Sequence, residues 1–132
     1  MRNALLGAVV LLACACGAYQ FPGSSPTPAG GTVSGHVLSV PCAPVERAGD
    51  TCAGRPVAGV EIDFRDGSDS RAAVTTSTGA YSIELTSGTW KVQIKTYMRL
   101  ISGPTSVSVG PGSNVPANYV LDNGIRVPVP QQ

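Results

Sequence analysis

From Thr32 to Leu121 the chain is a succession of short β-prone runs, each cut off by Gly, Pro, Asp or Ser. This punctuation constrains the fold more than any other feature. No window places apolar residues at sustained three- and four-residue spacing, so no substantial helix is expected. Strict alternation appears instead. Val60, Ile62 and Phe64 alternate with Glu61, Asp63 and Arg65, which marks one buried and one wet face of a strand. Turn chemistry recurs at Asp66-Gly67-Ser68-Asp69, Thr78-Gly79, Ser87-Gly88, Ser102-Gly103-Pro104 and Gly110-Pro111-Gly112-Ser113. These breaks bound seven strands, over Thr32–Val40, Val57–Arg65, Arg71–Ser77, Ala80–Thr86, Thr89–Met98, Thr105–Val109 and Asn114–Leu121. Turn signals at such spacing predict an all-β, seven-stranded antiparallel Greek-key β-sandwich. Its inward set is Val33, Val37, Val60, Ile62, Phe64, Val74, Tyr81, Ile83, Leu85, Trp90, Val92, Ile94, Val107, Val109, Tyr119 and Leu121. That set is large enough for one core.

The first residues read differently. Arg2 precedes an apolar run from Ala4 to Ala13, which stops at Cys14. A spanning helix needs roughly 20 apolar residues, so this run is a processing signal and not a transmembrane anchor. Leu11-Leu12-Ala13-Cys14 resembles the lipobox of a bacterial lipoprotein signal peptide. The resemblance implies cleavage before Cys14 and acylation of that residue, with two or more chains giving stable membrane attachment. Cys16 is the alternative lipid site, but Ala13 replaces the branched residue wanted three positions before it. Ala13-Cys14-Ala15 also fits ordinary secretory cleavage, which would leave the protein secreted. Either route places the domain outside the cytoplasm. The expected organisation is a signal peptide over 1–13, a tether over 14–31, a β-sandwich over 32–122 and an extended tail over 123–132. The tether is rich in Gly, Pro and Ser, without charge or periodicity between Gly17 and Gly31. Pro128 and Pro130 oppose sheet pairing in the tail.

Losing the signal removes Arg2, one of nine basic residues, and leaves eight against eight acidic ones. The remaining basic residues are dispersed, so nucleic acid is not expected as a partner. Cys42 and Cys52 lie in the mature domain, where an oxidising compartment favours a disulfide. A loop of about 11 residues gives on the order of 2.8 kcal/mol in the chain-entropy model. A metal site lacks ligands: His36 is the single histidine, and zinc wants four donors. No metal or cofactor is expected.

Four segments carry a resemblance. Gly35-His-Val37, Pro56-Val-Ala-Gly-Val60, Thr76-Ser-Thr-Gly-Ala-Tyr-Ser-Ile83 and Ser87-Gly-Thr-Trp-Lys-Val92 are similar to motifs of the carboxypeptidase regulatory-like domain. The match covers most of Thr32–Leu121. It implies a seven-stranded prealbumin-like sandwich and no particular activity. The chain departs from the family pattern in Trp90 for the usual Tyr, Ser77 where Asp is common, and an expanded first loop holding the two cysteines. Gly79 and Gly88 fall at hairpin turns, where positive φ favours glycine. Tyr81 and Trp90 are expected on neighbouring strands of one sheet, paired across it.

Candidate chemistry is sparse. His36 has no identifiable catalytic partner in the sequence, and no catalytic residue is assigned. Prealbumin-like hydrolases rely on several histidines, and intradiol dioxygenases on two Tyr and two His, whereas this chain has one histidine. Asp63, Asp66 and Asp69 hint at calcium, but a solvated turn explains them as well. Of Trp90, Tyr97 and Tyr119, only Tyr97 lies on the outward parity. Tyr97 and Arg99 are therefore the expected contact surface. The expected function is a non-enzymatic cell-surface lipoprotein, membrane-held by its lipid. A single sandwich would bind a cell-surface protein or polysaccharide, or serve envelope structure. The alternatives are a carbohydrate-binding module and a small extracytoplasmic prealbumin-like hydrolase.

Overall fold

The computed structural model describes residue 23 and residues 29–125. The expected signal peptide, Cys14, Cys16, most of the expected tether and the end of the expected tail lie outside the described residues. Ten strands are present: β1 Gly30–Val40, β2 Arg55–Pro56, β3 Glu61–Asp66, β4 Asp69–Val74, β5 Ala80–Thr86, β6 Gly88–Lys95, β7 Arg99–Ser102, β8 Ser106–Val109, β9 Asn114–Pro116 and β10 Tyr119–Asp122. They form two sheets, with no helix among the described residues. The all-β sandwich is as expected, and the strand count is not.

The extra strands have physical causes. β1 is long enough to be paired twice along each edge. Its first half lies between antiparallel β5 and parallel β9, and its second half between antiparallel β2 and parallel β10. β9 and β10 are one expected strand interrupted at Ala117 and Asn118. The pairing with β1 resumes in the same register beyond the gap, from Val33 opposite Val115 to Val37 opposite Tyr119. The Ala117 amide donates to the Ser34 carbonyl at 2.9 Å, and Asn118 Oδ1 accepts from the His36 amide at 2.9 Å. Gly35 makes this possible, because a side chain there would collide with the Ala117 carbonyl. The expected fifth strand also divides. It stops at Lys95, Thr96 Oγ1 accepts from the Met98 amide at 3.1 Å in a tight turn, and β7 then joins the opposite sheet. The expectation of a wholly antiparallel sandwich is thereby corrected: the first and last strands of the sheet run parallel.

The second sheet, β4-β3-β6-β8, is antiparallel throughout. Its inner face presents Ile62, Phe64, Trp90 and Val107 to Val33, Tyr81, Tyr119 and Leu121 of the first sheet, all of them buried. Most of the expected inward set is found there. Ile83, Val92 and Ile94 are half-buried against it. Val74 is the exception, at 58% exposed. The β3–β4 hairpin pairs Asp66 with Asp69 and hence Ile62 with Ala73, which turns Ala73 and Thr75 inward. Tyr81 and Trp90 are not sheet neighbours, because β5 and β6 belong to opposite sheets. Tyr81 instead lies between Phe64 and Tyr119, with ring centroids 6.3 and 6.4 Å away.

Buried polar groups are paired. Tyr81 donates to the Ala117 carbonyl at 2.6 Å and Tyr119 to the Pro104 carbonyl at 2.9 Å. Burial, with the Tyr119 phenol alongside, raises the Tyr81 pKa. Burial pushes that of Tyr119 up to about 12. Thr75 Oγ1 donates to the Val57 carbonyl at 2.7 Å and accepts from the Val60 amide at 2.9 Å, closing the loop before β3.

Strand order defines two poles. At one, the chain arrives through Ala29, whose carbonyl accepts from the Ser87 amide at 2.9 Å and from Ser87 Oγ at 2.6 Å. The Gly110–Ser113 turn closes over the same end, with the Gly112 amide donating to Gly30. At the other pole β1 ends beside β10, where Val40 faces Asp122 and Asp122 faces Arg99. The cis Val40–Pro41 peptide and the Cys42–Cys52 loop follow directly. Eleven residues of strand separate the poles by about 33 Å.

Candidate functional site

The pole opposite the arriving chain gathers the exposed apolar side chains. Tyr97, on the turn between β6 and β7, is 90% exposed, and Val45, Leu100 and Ile125 lie open around the same end. Arg99 opens β7 and its Nη2 stands 3.3 Å from Asp122 Oδ2. Arg99 thus ties the edge strand to β10, and Tyr97 is the projecting group. The sequence-predicted pair Tyr97 and Arg99 is brought to one place, with different tasks.

A groove of about 370 Å³ indents this pole. Val40, Pro41, Ala43 and Pro44 supply its apolar wall, and Glu46, Asp122 and Ile125 its margin. The disulfide shapes it: Cys42 and Cys52 are bonded, with Cα atoms 5.7 Å apart. Glu46 Oε1 accepts from the Cys42 amide at 2.9 Å, and Asn123 Nδ2 donates to the Pro41 carbonyl at 2.9 Å. Glu46 and the two sulfurs lie within 4.8 Å of one another. Both sulfurs are spent on each other, so they offer no thiolate to a metal.

The remaining candidates disperse. His36 lies exposed in the middle of β1, and its backbone amide, not its imidazole, donates to Asn118 Oδ1. Trp90 and Tyr119 are each 1% exposed, so neither serves an aromatic platform. Trp90 Nε1 donates to the Thr86 carbonyl at 2.9 Å. Asp63, Asp66 and Asp69 do not converge. Asp63 faces Lys95 Nζ at 2.9 Å and Arg65 Nη2 at 3.6 Å, while Asp66 and Asp69 oppose each other in the hairpin. Lys95 also meets Glu61 Oε1 at 2.6 Å. The Lys95 hydrogen bond holds the Asp63 carboxyl below its ordinary range. Bonds to Glu61 and Asp63 hold the Lys95 ammonium above its own. Asp63 is a structural ion-pair partner on the outer face of the second sheet.

Sequence reasoning missed Arg71. The expected parity pointed Val74 inward and Arg71 outward. The observed register sets Arg71 opposite Phe64, on the inward side of β4. β4 is an outer strand of its sheet, and the Arg71 side chain is exposed at that edge. There it lines a second cleft, of about 360 Å³, together with Glu84, Thr86 and Asn114. The signal available in the sequence was an arginine two residues from an inward alanine, which is legible only once the two-residue turn Gly67-Ser68 is known.

No family model matches this chain, and no curated protein matches it. Solved structures do. The minor pilin GBS52 of the Gram-positive pathogen Streptococcus agalactiae superposes with a TM-score of 0.52 at 17% identity, over 80% of this chain and 48% of the pilin. This chain therefore spans about half the length of that relative. The dioxygenase domain of a dioxygenase–carbohydrate-binding fusion from the cellulolytic bacterium Streptomyces sp. SirexAA-E matches at a TM-score of 0.46 and 17% identity, over 75% of this chain and 83% of that domain. At such identity the likeness to the pilin is one of fold alone, a β-sandwich.

Proposed function

We propose that this chain is a non-enzymatic, membrane-tethered surface module of the carboxypeptidase regulatory-like kind, which holds a partner protein with the pole opposite its tether. One observation carries the reading. The exposed Tyr97 follows the far end of β6, whose near end at Gly88 adjoins the Ser87 that bonds Ala29, where the chain arrives. A domain anchored at Cys14 and led in through Ala29 would present that pole away from the membrane. Aromatic side chains that combine apolar area with a polar tip are common anchors of protein interfaces. The family assignment is supported by Gly79 and Gly88, whose φ values of 74° and 154° fall at the turns where the motifs place glycine. A polysaccharide is the weaker partner, since burial of Trp90 and Tyr119 leaves Tyr97 as the one exposed ring among the described residues.

The test is site-specific photocrosslinking of the full chain at the cell surface. A crosslinker in place of Tyr97 is expected to trap a discrete partner, and one in place of Ser82 none. Tyr97→Ala should remove the partner from the native complex without lowering thermal stability. Equal trapping at both positions, or a partner retained by Tyr97→Ala, would refute the assignment. Fatty-acid labelling checks the tether: Cys14→Ala is expected to abolish it, and unchanged labelling would move the anchor elsewhere.

A further inference from the structure

The cleft beside Ala29 combines two exposed charges that have no partner side chain among the described residues. Arg71 and Glu84 line it together. Among the described residues, neither side chain makes an ion pair or a hydrogen bond, with the other or with any third group. Opposite charges that share a cleft and do not close on each other leave room between them for a ligand. We infer that this cleft binds a small ligand carrying both a carboxylate and an ammonium group, such as an amino acid or a short peptide.

The fold explains why the two stay apart. Glu84 is paired with Thr32 in the first sheet, and Arg71 with Phe64 in the second. No ladder runs between β4 and β5, so no register draws the two side chains together. An arginine on the inward side of a strand breaks the apolar pattern, and such breaks concentrate at functional sites. The floor is backbone. Gly30 and Gly31 have no side chains, and a Cβ on Gly31 would stand 2.5 Å from Ser113 Oγ. Close packing of β1 against the Gly110–Ser113 turn thus also leaves the cleft floor bare. Its volume of about 360 Å³ lies at the small end of the range, roughly 300–1,000 Å³, in which small ligands bind.

Chemistry selects the ligand class. The guanidinium fork suits a carboxylate in a bidentate contact, and the Glu84 carboxylate suits an ammonium. Thr86 and Asn114 border the space between and can serve an amide. A neutral sugar would leave both charges unpaired. Residues 17–31 include no charged side chain, so the segment leading into Ala29 offers neither a carboxylate to Arg71 nor an ammonium to Glu84.

Titration of the full chain, followed by calorimetry and amide chemical shifts, decides the matter. Alanylalanine is expected to bind saturably, with shifts at Gly31, Thr32 and Thr86. N-acetylalanine, alaninamide and N-acetylglucosamine should each bind at least about tenfold more weakly. Arg71→Ala and Glu84→Gln, both at exposed positions, should each weaken the dipeptide by about tenfold or more while leaving the melting temperature unchanged. Tyr97→Ala should leave this binding intact, which separates the cleft from the pole proposed to hold a protein. The inference is overturned if the dipeptide gives no saturable shift at tens of millimolar. It is overturned equally if a single-charge analogue or the sugar binds as well, or if binding survives both substitutions.

Discussion

Each pole of this sandwich brings an arginine near a carboxylate, and the two poles treat the pair in opposite ways. Arg99 and Asp122 sit opposite each other on paired strands and meet at 3.3 Å. Arg71 and Glu84 share a cleft from strands of different sheets and do not meet. The ladder decides the outcome. Where strand register fixes two charges as neighbours, the pair closes and serves the fold. Where the gap between sheets separates them, both charges stay available. The poles also differ in what holds them. The pole at Ala29 is packed around Trp90, Leu85, Val107 and Val109, all buried. The opposite pole relies on a disulfide that staples a largely exposed loop to the end of β1.

The sharpest way to break this contrast is to empty the packed pole. Trp90 fills the space under the Ser87–Gly88 turn and is the largest fully buried side chain. Trp90→Ala is expected to cost about 3–5 kcal/mol, from lost burial, the cavity left behind and an orphaned Thr86 carbonyl. Denaturant unfolding measures it. A loss below about 1 kcal/mol would mean that packing is not what secures this end.

The stapled pole should cost less. Replacing Cys42 and Cys52 by serine removes the constraint on a loop of about 11 residues, expected at roughly 2.8 kcal/mol. Because Glu46 and Pro41 depend on the loop for their positions, the groove should lose protection from hydrogen exchange before the core does. If exchange rises equally at Ala29–Thr32, the poles are coupled and the comparison fails.

How far the sequence could be read follows the same division. The alternation through Val60–Arg65 and the glycine turns at Gly79 and Gly88 are local signals, and the strands they bound are present. The disulfide was legible from two cysteines and the expected compartment. What stayed hidden is non-local. Splitting of the last strand depends on the Ala117 carbonyl meeting Gly35, some eighty residues away. The jump of Arg99–Ser102 to the other sheet depends on its pairing with β10. Val74 was misread because one turn length reverses the face of every residue after it. Tyr97 was found by parity alone, since a turn at a strand's end still exposes what alternation points outward.

Acid and base should act on the body of the sandwich between the poles. Asp63 is 3% exposed, and its pKa is lowered in the fold. Its contribution is therefore present above the unfolded value of about 3.9 and is lost as pH falls through the folded one. Tyr81, Tyr119 and Lys95 have raised values. Their contributions are complete below about pH 10 and are lost as pH rises past it, with Tyr119 giving way near its folded pKa of about 12. Thermal melts across pH should thus show a neutral plateau with losses on both sides. Asp63→Asn should flatten the acid limb, and an unchanged limb would remove Asp63 from the account.

The smallest expected effect bears most directly on the pairs. Arg99 is largely exposed, and exposed ion pairs contribute about 0.2–1 kcal/mol. Arg99→Ala should lower stability within that range, and the loss should shrink at high salt, because screening acts on exposed charges. Arg71→Ala, by contrast, removes a charge without a partner among the described residues and should cost nothing measurable at any salt concentration. The two substitutions delete the same side chain from opposite poles, so differing salt dependence reads out pairing alone. Should both variants lose stability equally, Arg71 has a partner that the register does not supply, and the cleft is a closed pair rather than an open one.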